Sequence, residues 1–92
     1  MYFVYLLKSS RTGDLYVGYT YNLRQRLQEH QNGESQWTKT RTPFALIYYE
    51  AYQNAQDARK REQQLKRQGK ALGQLKRRIN GSLGVLAMKG VG

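Results

Sequence analysis

The sequence predicts one small α/β domain of the α+β kind, with a three-stranded antiparallel sheet flanked by helices in the order β-β-α-β-α-α. Three observations predict it. The chain has 92 residues, room for a single hydrophobic core. Three runs rich in aromatic and branched residues, Tyr2–Lys8, Leu15–Thr20 and Phe44–Glu50, read as strands. Between and after them, apolar residues recur at steps of three and four, the period of a helix with one buried face.

The elements follow in order. Tyr2–Lys8 and Leu15–Thr20 flank the turn cluster Thr12-Gly13-Asp14, which makes them a hairpin. Asn22 can cap the first turn of a helix, with Gln25 where a capping box places an amide. Leu23, Leu27 and His30 recur at i, i+4 and i+7, and Asn32-Gly33 supplies a left-handed stop. A polar loop runs to Pro43, and Phe44–Glu50 is the third strand. Asn54 caps a long charged helix reaching about Gln68, which Gly69 ends. A shorter helix covers Ala71 to about Ile79. The domain is expected over residues 1–80, with the glycine-rich residues 81–92 as a disordered tail.

Composition narrows the chemistry. There is no cysteine, which removes disulfides and thiolate zinc sites, and one histidine, which removes a multi-histidine metal centre. Any metal would rest on carboxylates and water. No apolar run approaches the roughly 18 residues that span a bilayer. The start lacks a basic region and reads as a strand, so a soluble protein of the reducing cytoplasm is expected. Sixteen Lys and Arg stand against six Asp and Glu, a formal charge of +10, and a domain this basic attracts polyanions first. Residues 54–80 hold nine of the basic residues against Asp57 and Glu62. Arg59, Lys60, Arg61, Lys66, Arg67 and Lys70 read as a phosphate-facing surface, with solubility as their plainer use.

Several polar residues fall where packing alone would not place them. Eight tyrosines against two phenylalanines favour hydroxyl-bearing rings. With an even hairpin loop and no bulge, Tyr5, Tyr16, Gly18 and Thr20 share one face of the sheet. Gly18 is costly in a strand and marks a close approach. On the first helix, the 3.6-residue period puts Arg26 and His30 on the stripe that faces the sheet. On the second, Ala55, Ala58, Glu62 and Leu65 form the apolar stripe, so Glu62 needs a partner: Arg26 as a structural ion pair, a divalent metal with phosphate, or solvent at the stripe's edge.

The spacing resembles the GIY-YIG nuclease family. Its first signature is matched by Phe3-Val4-Tyr5 and its second by Tyr16-Val17-Gly18, eleven residues after Tyr5. Arg26, His30 and Glu62 then match the family's arginine, histidine and metal-binding glutamate, and the resemblance spans residues 2 to about 70. It is similar to small stand-alone bacterial members and to the nuclease domain of structure-specific eukaryotic resolvases. The first signature lacks its glycine and isoleucine, and Asn80 is only a loose counterpart of the family's later asparagine.

The resemblance implies a metal-dependent endonuclease acting in DNA repair or processing. One Mg²⁺ or Mn²⁺ would sit on Glu62, Arg26 would hold the scissile phosphate, and Tyr5 would relay a proton from water once a cation lowers its pKa. Tyr16 and His30 would assist, and Gly18 would leave room for the phosphodiester backbone. Nucleic acid, DNA first, is the expected partner, with a protein partner supplying targeting. The alternative is a nucleic-acid-binding or assembly protein of the same fold that cleaves little, and RNA is a third substrate reading.

Overall fold

The computed structural model describes residues 1–34, 38–40 and 42–84. Strands β1 (Tyr2–Ser9), β2 (Leu15–Thr20) and β3 (Phe44–Tyr52) form one antiparallel sheet in the order β2-β1-β3. Helices α1 (Leu23–Gln31), α2 (Ala55–Arg67) and α3 (Gly69–Arg78) follow the expected order, and a one-turn helix α4 (Asn80–Leu83) extends it. The expected tail overlaps this last turn. Gly81–Leu83 are helical, Leu83 packs on the core and its carbonyl accepts from Lys8 Nζ at 2.6 Å, whereas residues 85–92 lie outside the described residues.

The hairpin register is the one an even loop dictates: Tyr5 pairs with Gly18, Leu7 with Tyr16 and Phe3 with Thr20. Ser9 Oγ accepts from the amides of Arg11 and Thr12, and Gly13 takes φ +79°, a backbone shape that other side chains rarely adopt. Between β1 and β3 the register slips, because Leu6 pairs with Tyr48 but Leu7 with Leu46. Ile47 is the extra residue of this bulge. As a result the adjacent side chains Ile47 and Tyr48 both pack into the same core.

The sheet is covered on both faces. Val4, Leu6, Val17 and Ile47 pack against Ala58 and Leu65 of α2 and Leu75 of α3. Tyr5, Leu7 and Phe44 form the opposite core, against which Leu23 and Leu27 of α1 pack. Asn22 and Asn54 cap α1 and α2 as expected, each accepting backbone N–H bonds. The break after α2 differs from expectation. Gln68, extended at φ −110° and ψ 99°, interrupts the helix, and Gly69 opens α3 instead of closing α2. Turning the chain one residue earlier docks Leu72 and Leu75 on the core.

Candidate active site

The α1 face of the sheet gathers four of the five residues singled out for catalysis. His30, in the last turn of α1, is completely buried. Its Nε2 lies 2.9 Å from Tyr5 Oη. The His30 ring is edge-on to Tyr16, with centroids 5.3 Å apart, and also to Phe44. Among the described residues Nδ1 has no hydrogen-bond partner. A bare acceptor is cheaper in such a place than an orphaned N–H. That favours the tautomer in which Nε2–H donates to Tyr5 Oη.

Gly18 makes this packing possible. A Cβ built there would stand 2.2 Å from Tyr5 Cζ and 2.3 Å from its hydroxyl. The space over the glycine is therefore filled by the Tyr5 ring, and the expected room for a phosphodiester backbone is taken by a side chain. Gly18 shapes the site by seating Tyr5.

Arg26 sits half-exposed one turn before His30. Its Nη1 donates to Glu29 Oε1 at 2.7 Å, and the guanidinium also engages the hydroxyls of Tyr5 and Tyr16. Glu29 is the main cause holding Arg26 protonated. This i, i+3 pair was readable in the sequence from its spacing alone, yet Glu29 was not singled out.

Glu62 arrives from α2. The helix lies along β2 with its direction reversed: Lys66 Nζ is 5.8 Å from the Tyr16 ring centre, and the Arg59 guanidinium is 5.2 Å from that of Tyr19. Seven helical residues span about 10.5 Å and three strand residues about 10 Å, so the two strides match. Glu62 lies between them on the same side of α2, and its carboxylate is close enough to act on the Tyr5 hydroxyl. Its ion pair runs to Lys66 Nζ at 3.0 Å, so the Glu62–Arg26 bridge considered from sequence is replaced by two local pairs, Arg26–Glu29 and Glu62–Lys66.

Electrostatics then fix the resting state. Burial pushes the Tyr5 hydroxyl up to about 12, with the pull of Arg26 too weak to offset it. The expected cation-lowered tyrosine is thus absent from the protein by itself. Desolvation pushes His30 down to about 4, helped by the positive charge of Arg26, so at neutral pH the imidazole is uncharged.

The basic surface divides. Arg59, Lys60, Lys66, Arg67 and Lys70 are exposed along α2 and the start of α3. Arg61 departs from expectation. Its Nε and Nη2 grip the Glu50 carboxylate at 3.0–3.2 Å, and Tyr48 and Tyr52 donate their hydroxyls to the same group. A half-buried carboxylate needs this fork more than a phosphate does, so Arg61 ties α2 to β3. Lys76, Arg77 and Arg78 at the end of α3 are exposed and add positive charge that the sequence reading left outside the site.

Residues 1–80 match the family model of the GIY-YIG catalytic domain. The chain belongs to the GIY-YIG family. Relatives similar to this GIY-YIG chain include UPF0213 proteins of Staphylococcus aureus strains Mu3 and N315, each 39% identical over 66 residues, which are 71% of this chain and 79% of theirs. Among solved structures, the solution NMR structure of a UPF0213 protein from Bacillus halodurans is similar at TM-score 0.53 and 27% identity, covering 97% of this chain and 100% of that one. The GIY-YIG domain places the chain in a nuclease family, whose substrate is nucleic acid. No helix among the described residues is long and apolar enough to cross a membrane.

Proposed function

We propose that this GIY-YIG chain is a metal-dependent endonuclease that hydrolyses phosphodiester bonds, in DNA first, as part of repair or processing. The observation that carries the reading is the buried Tyr5–His30 hydrogen bond facing Arg26, with Glu62 beside it. A fold that only bound nucleic acid would not need a desolvated phenol and a neutral imidazole under its phosphate-facing cation.

Each residue has a task the geometry suits. Arg26 keeps donors besides the one given to Glu29, and its planar fork matches two phosphate oxygens. Tyr5, with a hydroxyl near 12, is about one part in 10⁵ phenolate at pH 7. It becomes a base only when added positive charge offsets burial. His30 is a positioning residue that fixes the Tyr5 oxygen and stabilises charge developing on it. Tyr16 packs against both rings and would help to orient the attacking water.

The donor set fits Mg²⁺ or Mn²⁺ in a definite way. Among the described residues no cluster of three metal-ligating side chains exists, which suits an ion held by one carboxylate, waters and substrate phosphate. Glu62 is that carboxylate, and its present counter-charge is the ammonium of an exposed lysine. When bound, such an ion supplies stabilisation of phosphorane and leaving-group charge.

The test uses labelled flap, branched, single-stranded and duplex substrates with Mn²⁺, Mg²⁺ or EDTA. Glu62→Gln and Arg26→Ala should each lower cleavage about 10²-fold or more. Both should largely spare binding, which comes mostly from the exposed basic residues. Stability should change little, because exposed or half-exposed helical ion pairs contribute about 0.3–0.5 kcal/mol. Variants that fold, bind and cut like wild type would end the assignment.

A further inference from the structure

The turn between β2 and α1 holds an aromatic that the site above does not use. Asn22 N–H donates to Thr20 Oγ1 at 3.1 Å, and this tight turn throws Tyr21 outward. Tyr21 is 72% exposed and, among the described residues, has neither a hydrogen bond nor a ring partner. A single exposed tyrosine is ordinary. Its position is not, because Tyr21 stands at the junction of two grooves.

One groove, about 190 Å³, lies along α1 and is lined by Thr20, Gln25, Arg26 and Glu29 beside Tyr21. It therefore opens on the proposed phosphate clamp. The other, about 540 Å³, is lined by Tyr2, Tyr19 and Arg59 with Met1 and Ala55. In it the Tyr2 and Tyr19 rings are parallel within 5°, with centroids 6.5 Å apart, and Arg59 covers Tyr19. Arg59 is one turn of α2 before Glu62, about 4.5 Å along the axis. That is comparable to the step between neighbouring nucleotides, about 3.4 Å in a stacked strand.

We propose that Tyr21, backed by Tyr2, Tyr19 and Arg59, is a stacking platform for an unpaired base of the strand that runs on from the scissile phosphate. The chemistry is that of single-strand recognition: flat rings take the π-face of any base, and an arginine meets the adjoining phosphate. Paired bases cannot reach such a platform without leaving their stack. The platform would therefore select substrates with a single-stranded segment next to the cut, without choosing their sequence. This proposal rests on the nuclease reading for the place of the cut, and its test does not require cleavage.

The experiment measures binding in EDTA by the intact chain to three labelled probes. These are a single-stranded oligonucleotide, the same strand with abasic residues, and a blunt duplex of equal length. Wild type should prefer the base-carrying strand to the abasic one by roughly 5- to 100-fold, as expected for one aromatic–base stack. Tyr21→Ser should abolish that preference and leave duplex affinity unchanged, whereas Tyr21→Phe should keep it. Arg59→Gln should lower the slope of log affinity against log salt by about one and preserve the base preference. Equal losses on all three probes in Tyr21→Ser, or no loss on any, would overturn the platform. The nuclease reading is tested apart from this binding, by cleavage in Glu62→Gln, so the two readings fail distinguishably.

Discussion

Replacing Gly18 by alanine puts a methyl group where the Tyr5 ring already is. The new Cβ would lie 2.2 Å from Cζ, 2.3 Å from Oη and 2.7 Å from Cε1. Carbon atoms rest at about 3.5–4.0 Å, so the ring has to retreat by roughly 1.3 Å or more. It has little room, since Tyr5 is 1% exposed and packs against Leu7, Phe44, Tyr16 and His30. Two effects oppose each other. Gly18 is not among the positive-φ glycines, so alanine suits its backbone and would by itself stabilise by about 0.4–1 kcal/mol. Overpacking costs about 1–3 kcal/mol, and here it wins, because the struck atoms belong to a fully buried ring. The expected outcome is a net loss of about 1–2 kcal/mol, or a melting temperature lower by roughly 5–15 °C in a domain of this size. Cleavage should fall further, by about 10²-fold, because the displaced hydroxyl loses its bond to His30 and a misplacement near 1 Å is enough for that. A double-mutant cycle isolates the cause. Tyr5→Leu removes Cε1, Cζ and Oη, the three atoms in the way, so Gly18→Ala should be neutral or stabilising in that background. The coupling energy should be about 1 kcal/mol or more. Zero coupling, or an alanine variant that melts and cuts like wild type, would refute the claim that the glycine exists to seat Tyr5.

Two further outcomes follow from the same geometry. Arg61→Ala should destabilise by about 2–3 kcal/mol, since it leaves the Glu50 carboxylate half-buried with only tyrosyl donors; chemical denaturation reads the loss, and the affinity for nucleic acid should stay within about twofold because Arg61 faces β3. An unfolded histidine titrates near 6.5 while folded His30 is pushed down to about 4; below pH 6.5 the unfolded chain binds a proton that the native state does not, so stability should fall by up to about 3 kcal/mol as pH drops from 6.5 to 4. His30→Gln should remove that decline and leave the one set by Glu50 and Glu29, whose carboxyls are held low and lose their stabilising effect only at lower pH. Urea titrations of both proteins between pH 7 and 4.5 decide it, and identical slopes would contradict a buried neutral imidazole.

The sequence by itself determined what depends on short-range geometry. A period of two and a Gly13 turn placed Tyr5 opposite Gly18, and a period of 3.6 turned Arg26 and His30 toward the sheet, because chain stereochemistry makes both patterns local. Asn22 and Asn54 announced their helices for the same reason: a cap satisfies amides two or three residues away. The tertiary structure decided the rest. Arg61 looked like its neighbours on a basic helix until β3 brought Glu50, Tyr48 and Tyr52 against it from nine to thirteen residues away in places no period encodes. Glu62 had two partners open to it by type, with solvent as the plainer outcome, and the lie of α2 along β2 gave it Lys66 and a place beside Tyr5. The slip that puts Ile47 and Tyr48 on one side has no signature in a run of six apolar and aromatic residues, Phe44 to Tyr49. The state of Tyr5 was the least legible: the sequence supplied the nearby cation, but burial, a property of the whole packed domain, outweighs one partly solvated charge and sends the hydroxyl upward.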